Sequence, residues 1–425
     1  MKRIIFIAIV LELLLVSCGN KVIPDVEIID NEENVSTPKD EPKKEEPNER
    51  VDFVLTSDQR SMAAAGNAFA LKLFNDIISE HNKDIIVSPL SVEFALGMLS
   101  EGARGETSEE IISALSFNGQ ERSSVNEYYK SLIDQSISVD NQVDLIIANA
   151  LVASDNYDIL DSYLSELSKY YYAEHFVLDY DDVDEVAVVN DWVESHTGGQ
   201  IPNFVDRIDD VNLLNTILFN ARWDEPFDDR STKSMPFHDV AGRELSVDMM
   251  RSKSSYRYFD GDIFNMVCKS YSNGAYRFIV LLPDEGYGVD DIATALADNG
   301  LQQYVNASKS EFVDFYLPTF ESDFSIDMRE SLKRMGLSKV FSTGDFSGMV
   351  TDGELSVNRV FHKARIKLDE VGTCASAATI IQMDGASPGE KEPIIFKADH
   401  PFVYAITEIS STKIFFIGTY LGSDL

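Results

Sequence analysis

The chain has 425 residues, 44% of them hydrophobic, which is enough to bury a large core. Lys+Arg number 36 against 72 Asp+Glu, for a formal net charge of −36. Such a surface repels phosphate backbones and anionic headgroups, which argues against nucleic-acid binding and leaves membrane attachment to an anchor. The three cysteines, Cys18, Cys268 and Cys374, are too few for a disulfide framework, and neither they nor the six histidines are spaced as metal ligands, so no metal or cofactor is expected.

Residues 1–17 read as an export signal. Lys2 and Arg3 precede an apolar run from Ile4 to Val16, interrupted only by Glu12 and too short to span a bilayer. The run ends in Leu15-Val16-Ser17-Cys18, which resembles the bacterial lipobox. That resemblance implies acylation of Cys18 and an exported bacterial lipoprotein of the outer membrane or cell surface. Residues 18–56, with Pro38, Pro42 and Pro47 among Glu and Lys, read as an acidic tether that buries no core. Residues 57–425 read as one globular domain.

Within that domain, Phe69, Ala70, Leu73, Phe74, Ile77 and Ile78 recur at helical spacing and predict a helix over 61–80. Further helices are expected over 89–101, 106–116, 158–172 and 182–196, with a buried strand over 142–153. Strands are then expected over 213–222, 254–260, 264–271, 275–283, 311–317, 356–368, 394–397, 401–408 and 413–419. Helices first and strands later predict an α+β domain built on large, mainly antiparallel sheets.

Enzyme motifs fail on inspection. Gly385-Ala386-Ser387-Pro388-Gly389 has the letters of a nucleophile elbow, but Pro388 lacks the N–H that an oxyanion hole takes from the residue after the serine. Ser36-Thr37-Pro38-Lys39 lies in the tether, Ser154-Asp155-Asn156 has no Lys-Thr-Gly to accompany it, and Ser410-Ser411-Thr412-Lys413 lies in an expected hairpin turn. A binder, carrier or inhibitor is favoured over an esterase acting through Ser387.

Residues 369–393 are too long for a plain connection between two strong strands, and loops of that length are typically functional or disordered. Glu370, Gly372-Thr373 and the small run Ala375-Ser376-Ala377-Ala378 resemble the hinge of an inhibitory serpin's reactive-centre loop. The similarity extends in order along the domain. It includes Ile85-Ile86-Val87-Ser88-Pro89-Leu90-Ser91, Gly102-Ala103-Arg104-Gly105-Glu106-Thr107, Asn190-Asp191-Trp192-Val193 and Gly198-Gly199-Gln200-Ile201. It continues through Asn215, Phe219-Asn220-Ala221-Arg222-Trp223, Pro226-Phe227, Leu281-Leu282-Pro283 and Val360-Phe361-His362-Lys363-Ala364 to Ala398-Asp399-His400-Pro401-Phe402 and Phe416-Ile417-Gly418.

This resemblance implies the serpin fold: three β-sheets, about nine helices and an exposed loop. It implies a monomeric inhibitor whose partner is a serine protease, held covalently after cleavage, with cysteine proteases as a further target class. Family spacing from Glu370 puts the reactive bond at Ala386–Ser387, and Ala386 implies a shallow specificity pocket, as in elastase-like or subtilisin-like enzymes. Ser88, Ser91, Asn190, Asn215 and His362 match the buried polar group that controls sheet opening, and Trp223 matches the point where insertion starts. The other reading is a serpin-fold binding protein that does not inhibit.

The residues suit strand insertion. Ala375, Ala377 and Thr379 alternate with Cys374, Ser376 and Ala378, so the entering strand brings small side chains to a packed sheet, where overpacking costs about 1–3 kcal/mol. Cys374 departs from the family pattern, which commonly has an acidic residue there. Gly372 is expected to give the hinge its backbone freedom.

Overall fold

The computed structural model describes residues 47–181, 183–351, 355, 357–373 and 392–423. Residues 46–425 form one compact unit. The tether expected through residue 56 gives way to this unit by Asn48. The main-chain N–H of Asn48 donates to Asn141 Oδ1 at 3.0 Å, and Asn141 N–H returns the bond to Asn48 Oδ1 at 3.0 Å. The Phe53 N–H donates to Ser410 Oγ at 2.8 Å. Composition hides this segment because side chain–backbone bonds hold it rather than an apolar pattern.

Helix α1 (Ser57–Ile78) begins at Thr56. That hydroxyl accepts from Gln59 N–H while the Gln59 side chain accepts from Thr56 N–H, a reciprocal capping box. Strand β1 (Ile85–Val87) leads into α2 (Pro89–Gly102), which is buried nearly all round and is therefore the central helix of the core. Next come α3 (Gly105–Ala114), α4 (Arg122–Ser138), β2 (Val143–Ser154), α5 (Asp161–Tyr171), β3 (Glu174–Leu178), α6 (Glu185–His196) and β4 (Val211–Arg222). The strand-rich half holds β5 (Lys233–His238), β6 (Glu244–Phe259), β7 (Phe264–Ser270) and β8 (Tyr276–Pro283). Helices α7 (Val289–Asn299) and α8 (Leu301–Ala307) precede β9 (Lys309–Pro318), β10 (Phe320–Asp327) and α9 (Arg329–Arg334). Finally come β11 (Phe361–Leu368), β12 (Gly372–Thr373), β13 (Ile394–Lys397), β14 (Phe402–Glu408) and β15 (Ile414–Tyr420).

The described residues thus hold nine α-helices in an α+β arrangement with two hydrogen-bonded sheets. The larger sheet follows β1-β15-β14-β8-β7-β6-β9-β13, with β5 also on β6. The smaller follows β10-β11-β12-β4-β2-β3. A separate third sheet is not seen among these residues. The long strand β6 pairs with β5 and β9 along most of its length and reaches β7 only through Arg257↔Cys268, Tyr258↔Val267 and Phe259↔Met266. That short seam joins what would otherwise be two sheets.

The smaller sheet is covered on one face by α6, where Val189, Trp192 and Val193 meet Ala148, Ala150, Val152 and Leu214. Its other face joins the main core through the alternate residues Leu151, Ile217 and Phe219, as the two-residue period of a strand requires.

Candidate functional site

Strand β12 lies between β11 and β4 at one end of the smaller sheet. Thr373 pairs with Leu368 on one side and Ala221 on the other, and Gly372 pairs with Arg222. Among the described residues no ladder joins β4 directly to β11; β12 is what links them. Gly372 serves this position by close approach. A Cβ there would stand 2.0 Å from the Ala221 carbonyl oxygen and 2.8 Å from Arg222 Cα. Its φ is not positive, so the expected freedom to turn is not the reason for glycine here.

The approach to β12 is held by the segment 223–227. Trp223 N–H donates to the Val371 carbonyl at 2.9 Å, and Phe227 N–H donates to the Glu370 carbonyl at 2.9 Å. The Trp223 indole Nε1–H donates to the Asp369 carbonyl at 3.0 Å. The Glu370 carboxylate accepts from Thr232 Oγ1 at 2.6 Å, and the Asp369 carboxylate accepts from the N–H groups of Val371 and Gly372. Trp223 is stacked on Tyr271 with centroids 4.4 Å apart, and Tyr271 shares a 2.5 Å hydrogen bond with Thr373 Oγ1. Beside these rings lies Lys269, 2% exposed. Burial pushes its ammonium pKa down, against the upward pull of Asp224 and Glu225.

The expected group of buried polar residues separates into three. Ser88, Ser91 and His362 come together: Ser88 N–H donates to His362 Nε2 at 3.1 Å, and Ser91 N–H donates to Ser88 Oγ at 3.3 Å. Complete burial pushes the His362 pKa down to about 4, so the ring is the neutral acceptor this bond needs. Asn215 is buried with Asn149, donating to its Oδ1 at 2.7 Å, while Asn149 donates to the Tyr171 carbonyl at 2.7 Å. Asn190 is only half-buried and lies on α6. Its side chain exchanges two 2.9 Å bonds with the backbone of Val205, tying the helix to the chain that follows it.

That following segment is also held from β11 and its approach. Lys363 Nζ donates to the Pro202 carbonyl at 2.9 Å, Arg365 donates to the Gln200 carbonyl at 3.1 Å, and Arg359 donates to the Arg207 carbonyl. Beneath it, between the start of β4 and the start of β11, a cavity of about 60 Å³ is lined by Leu96, Leu99, Leu213, Leu214, Val360 and Phe361.

Cys18, Cys374, Ala375, Ser376, Ala377, Ala378, Ala386 and Ser387 lie outside the described residues. Ser410 and Ser411 donate their hydroxyls to the Glu408 carboxylate, and Lys413 Nζ bonds Glu93, so no Ser–Lys pair forms there. No group of His, Cys, Asp and Glu among the described residues is arranged to hold a metal ion.

Sequence reading missed Lys269, Tyr271 and Asn149 as parts of this site, and took in Asp369 only as the first residue of the long connection. Of the three missed, Lys269 alone carried a signal, as a lysine in the otherwise apolar run Met266-Val267-Cys268-Lys269.

A chain with this sheet, this hinge and this ordered set of motifs is a serpin-type domain. The family model "Serpin (serine protease inhibitor)" matches residues 64–422, and the chain belongs to the serpin family. It is 32% identical over 379 residues to the leukocyte elastase inhibitor of Bos taurus, covering 84% of this chain and 98% of that protein. Among solved structures, the native state of the thermophilic serpin tengpin matches with a TM-score of 0.79 at 27% identity, covering 89% of this chain and 97% of that one. Human thyroxine-binding globulin also matches with a TM-score of 0.79, at 26% identity, covering 86% of this chain and all of that one. Members of the family are in general protease inhibitors rather than enzymes.

Proposed function

We propose that this protein is a suicide-substrate inhibitor of secreted serine proteases of elastase-like or subtilisin-like specificity. The protease serine attacks the Ala386 carbonyl, the bond to Ser387 breaks, and the new Ser387 amine departs while Ala386 stays esterified to the enzyme. The loop behind Ala386 then extends β12 along β4 and β11, in the manner of strand-insertion inhibitors. The observation that carries this reading is β12 itself: the hinge already pairs with both flanking strands, at a glycine whose missing side chain permits it. The small residues from Cys374 to Ala378 and the likeness to the bovine leukocyte elastase inhibitor support the same reading. Cysteine proteases form a second target class. The lipobox-like Leu15-Val16-Ser17-Cys18 supports a lipoprotein displayed at the outer membrane or cell surface.

Titration of neutrophil elastase and subtilisin with the mature chain tests this. Residual activity of at least one enzyme falls to zero near equimolar inhibitor. Undiminished activity of serine proteases across several specificities would instead favour the non-inhibitory binding protein, a reading supported by the likeness to thyroxine-binding globulin, solved as a complex with thyroxine.

A further inference from the structure

We infer that Lys269 is the positioning residue for the approach to the reactive loop, and that its buried charge governs how readily β12 lengthens between β11 and β4. The consequence for insertion rests on the proposed inhibitory function; the geometry does not.

Lys269 is a cation in the apolar strand β7, and an ion buried without compensation is strongly unfavourable. Its compensation comes almost wholly from one turn. Its Nζ donates to the Glu225 carbonyl and stands 3.7 Å from the Asp224 carboxylate. It lies 5.5 Å from the ring centroid of Trp223, 5.0 Å from Phe227 and 5.6 Å from Tyr256, within the range of cation–π attraction. Four of these five partners belong to residues 223–227. The turn is therefore folded around the ammonium, with one charge-independent tie to β7 in the Asp224 N–H, which donates to the Ser270 carbonyl at 3.1 Å.

The outer side of the same turn holds the loop's approach. The N–H groups of Trp223 and Phe227 and the Trp223 indole bond three successive carbonyls, those of Val371, Glu370 and Asp369. The next residue, Gly372, begins β12. A neutral side chain of similar length fills the volume of Lys269 but gives the Glu225 carbonyl no donor and the rings no cation. The turn then loosens, and its three bonds to 369–371 loosen with it. Contacts elsewhere in β7 and β8 need no charge at this position.

The test is hydrogen exchange on the full mature chain before any protease is added, comparing wild type with Lys269→Met, Lys269→Arg and Asp224→Asn. In Lys269→Met the Trp223 and Phe227 amides exchange about tenfold faster, while those of β14 and β15 keep wild-type rates. Lys269→Arg restores protection, because a cation and donor return. Asp224→Asn, which leaves the lysine in place, speeds the same two amides by less. Wild-type protection at Trp223 and Phe227 in Lys269→Met, or an equal rise at every amide, would overturn the inference by reducing Lys269 to an ordinary core residue. If Lys269→Met does not fold, unchanged protection of those two amides in Asp224→Asn overturns it instead. Inhibition is read separately: the expected exchange pattern in a protein that traps no protease leaves the role of Lys269 intact and removes the proposed function.

Discussion

Trp223 donates its indole N–H to the carbonyl of Asp369 at 3.0 Å, joining the end of β4 to the residue after β11. This bond and the two main-chain bonds beside it close the sheet at the end where β12 enters. Trp223→Phe keeps an aromatic ring against Tyr271 but leaves the Asp369 carbonyl without this donor. It is expected to lower unfolding stability by about 1–3 kcal/mol and to speed spontaneous loop insertion. Urea unfolding followed through the remaining Trp192 measures the first effect, and loss of inhibitory activity on storage measures the second.

Gly372 offers a sharper test of the hinge. An added Cβ meets the Ala221 carbonyl at 2.0 Å, so Gly372→Val cannot keep the pairing seen in β12. The variant is expected to be cleaved as a substrate, with more inhibitor consumed per protease molecule silenced. The stoichiometry of inhibition reports this directly, and a wild-type value would show that β12 plays no part in trapping.

His362 makes folding stability sensitive to acid. Its native pKa is about 4, against an ordinary value of 6.5. Between those limits the unfolded chain binds more protons than the native one, so stability falls as pH drops from 6.5 toward 4, by about 3 kcal/mol in all. Protonation also removes the acceptor for Ser88 N–H. His362→Gln keeps an acceptor without this titration and is expected to flatten the profile. Urea midpoints at pH 7 and pH 4.5 for both proteins decide it.

A second buried charge is paired with a carboxylate. Lys413 Nζ is 2.6 and 2.7 Å from the two carboxylate oxygens of Glu93, and neither side chain is exposed. Burial pushes the Glu93 pKa up and the Lys413 pKa down. Lys413→Met strands the carboxylate and is expected to cost about 3–5 kcal/mol, whereas Glu93→Leu with Lys413→Met recovers most or all of that loss. A double-mutant cycle on unfolding free energies measures the coupling.

Much of this architecture was legible in the sequence because its elements repeat locally. The apolar spacing from Phe69 to Ile78 marks α1, and the buried run from 142 to 153 marks β2. Of the residues singled out by the resemblance, Gly372 begins β12, Trp223 follows β4 and His362 lies in β11. Helix α4 escaped because tyrosines, Tyr128 and Tyr129, supply much of its core face, and β10 escaped because Ser322 points inward among its apolar residues. The grouping of Asn190 failed for a different reason: its partner is the backbone of Val205, set by the path of the chain after α6. Lys269, Asp369 and Tyr271 come together only around Trp223, through tertiary contact, and no local period announces such a cluster.

The most direct test of the account is incubation of the full chain with neutrophil elastase and with subtilisin, read on denaturing gels with mass spectrometry. Trapping predicts a band at the summed mass of protease and the chain through Ala386, stable to denaturant, and a released C-terminal peptide beginning at Ser387. Cleavage at that bond with no covalent band and fully active protease would contradict it.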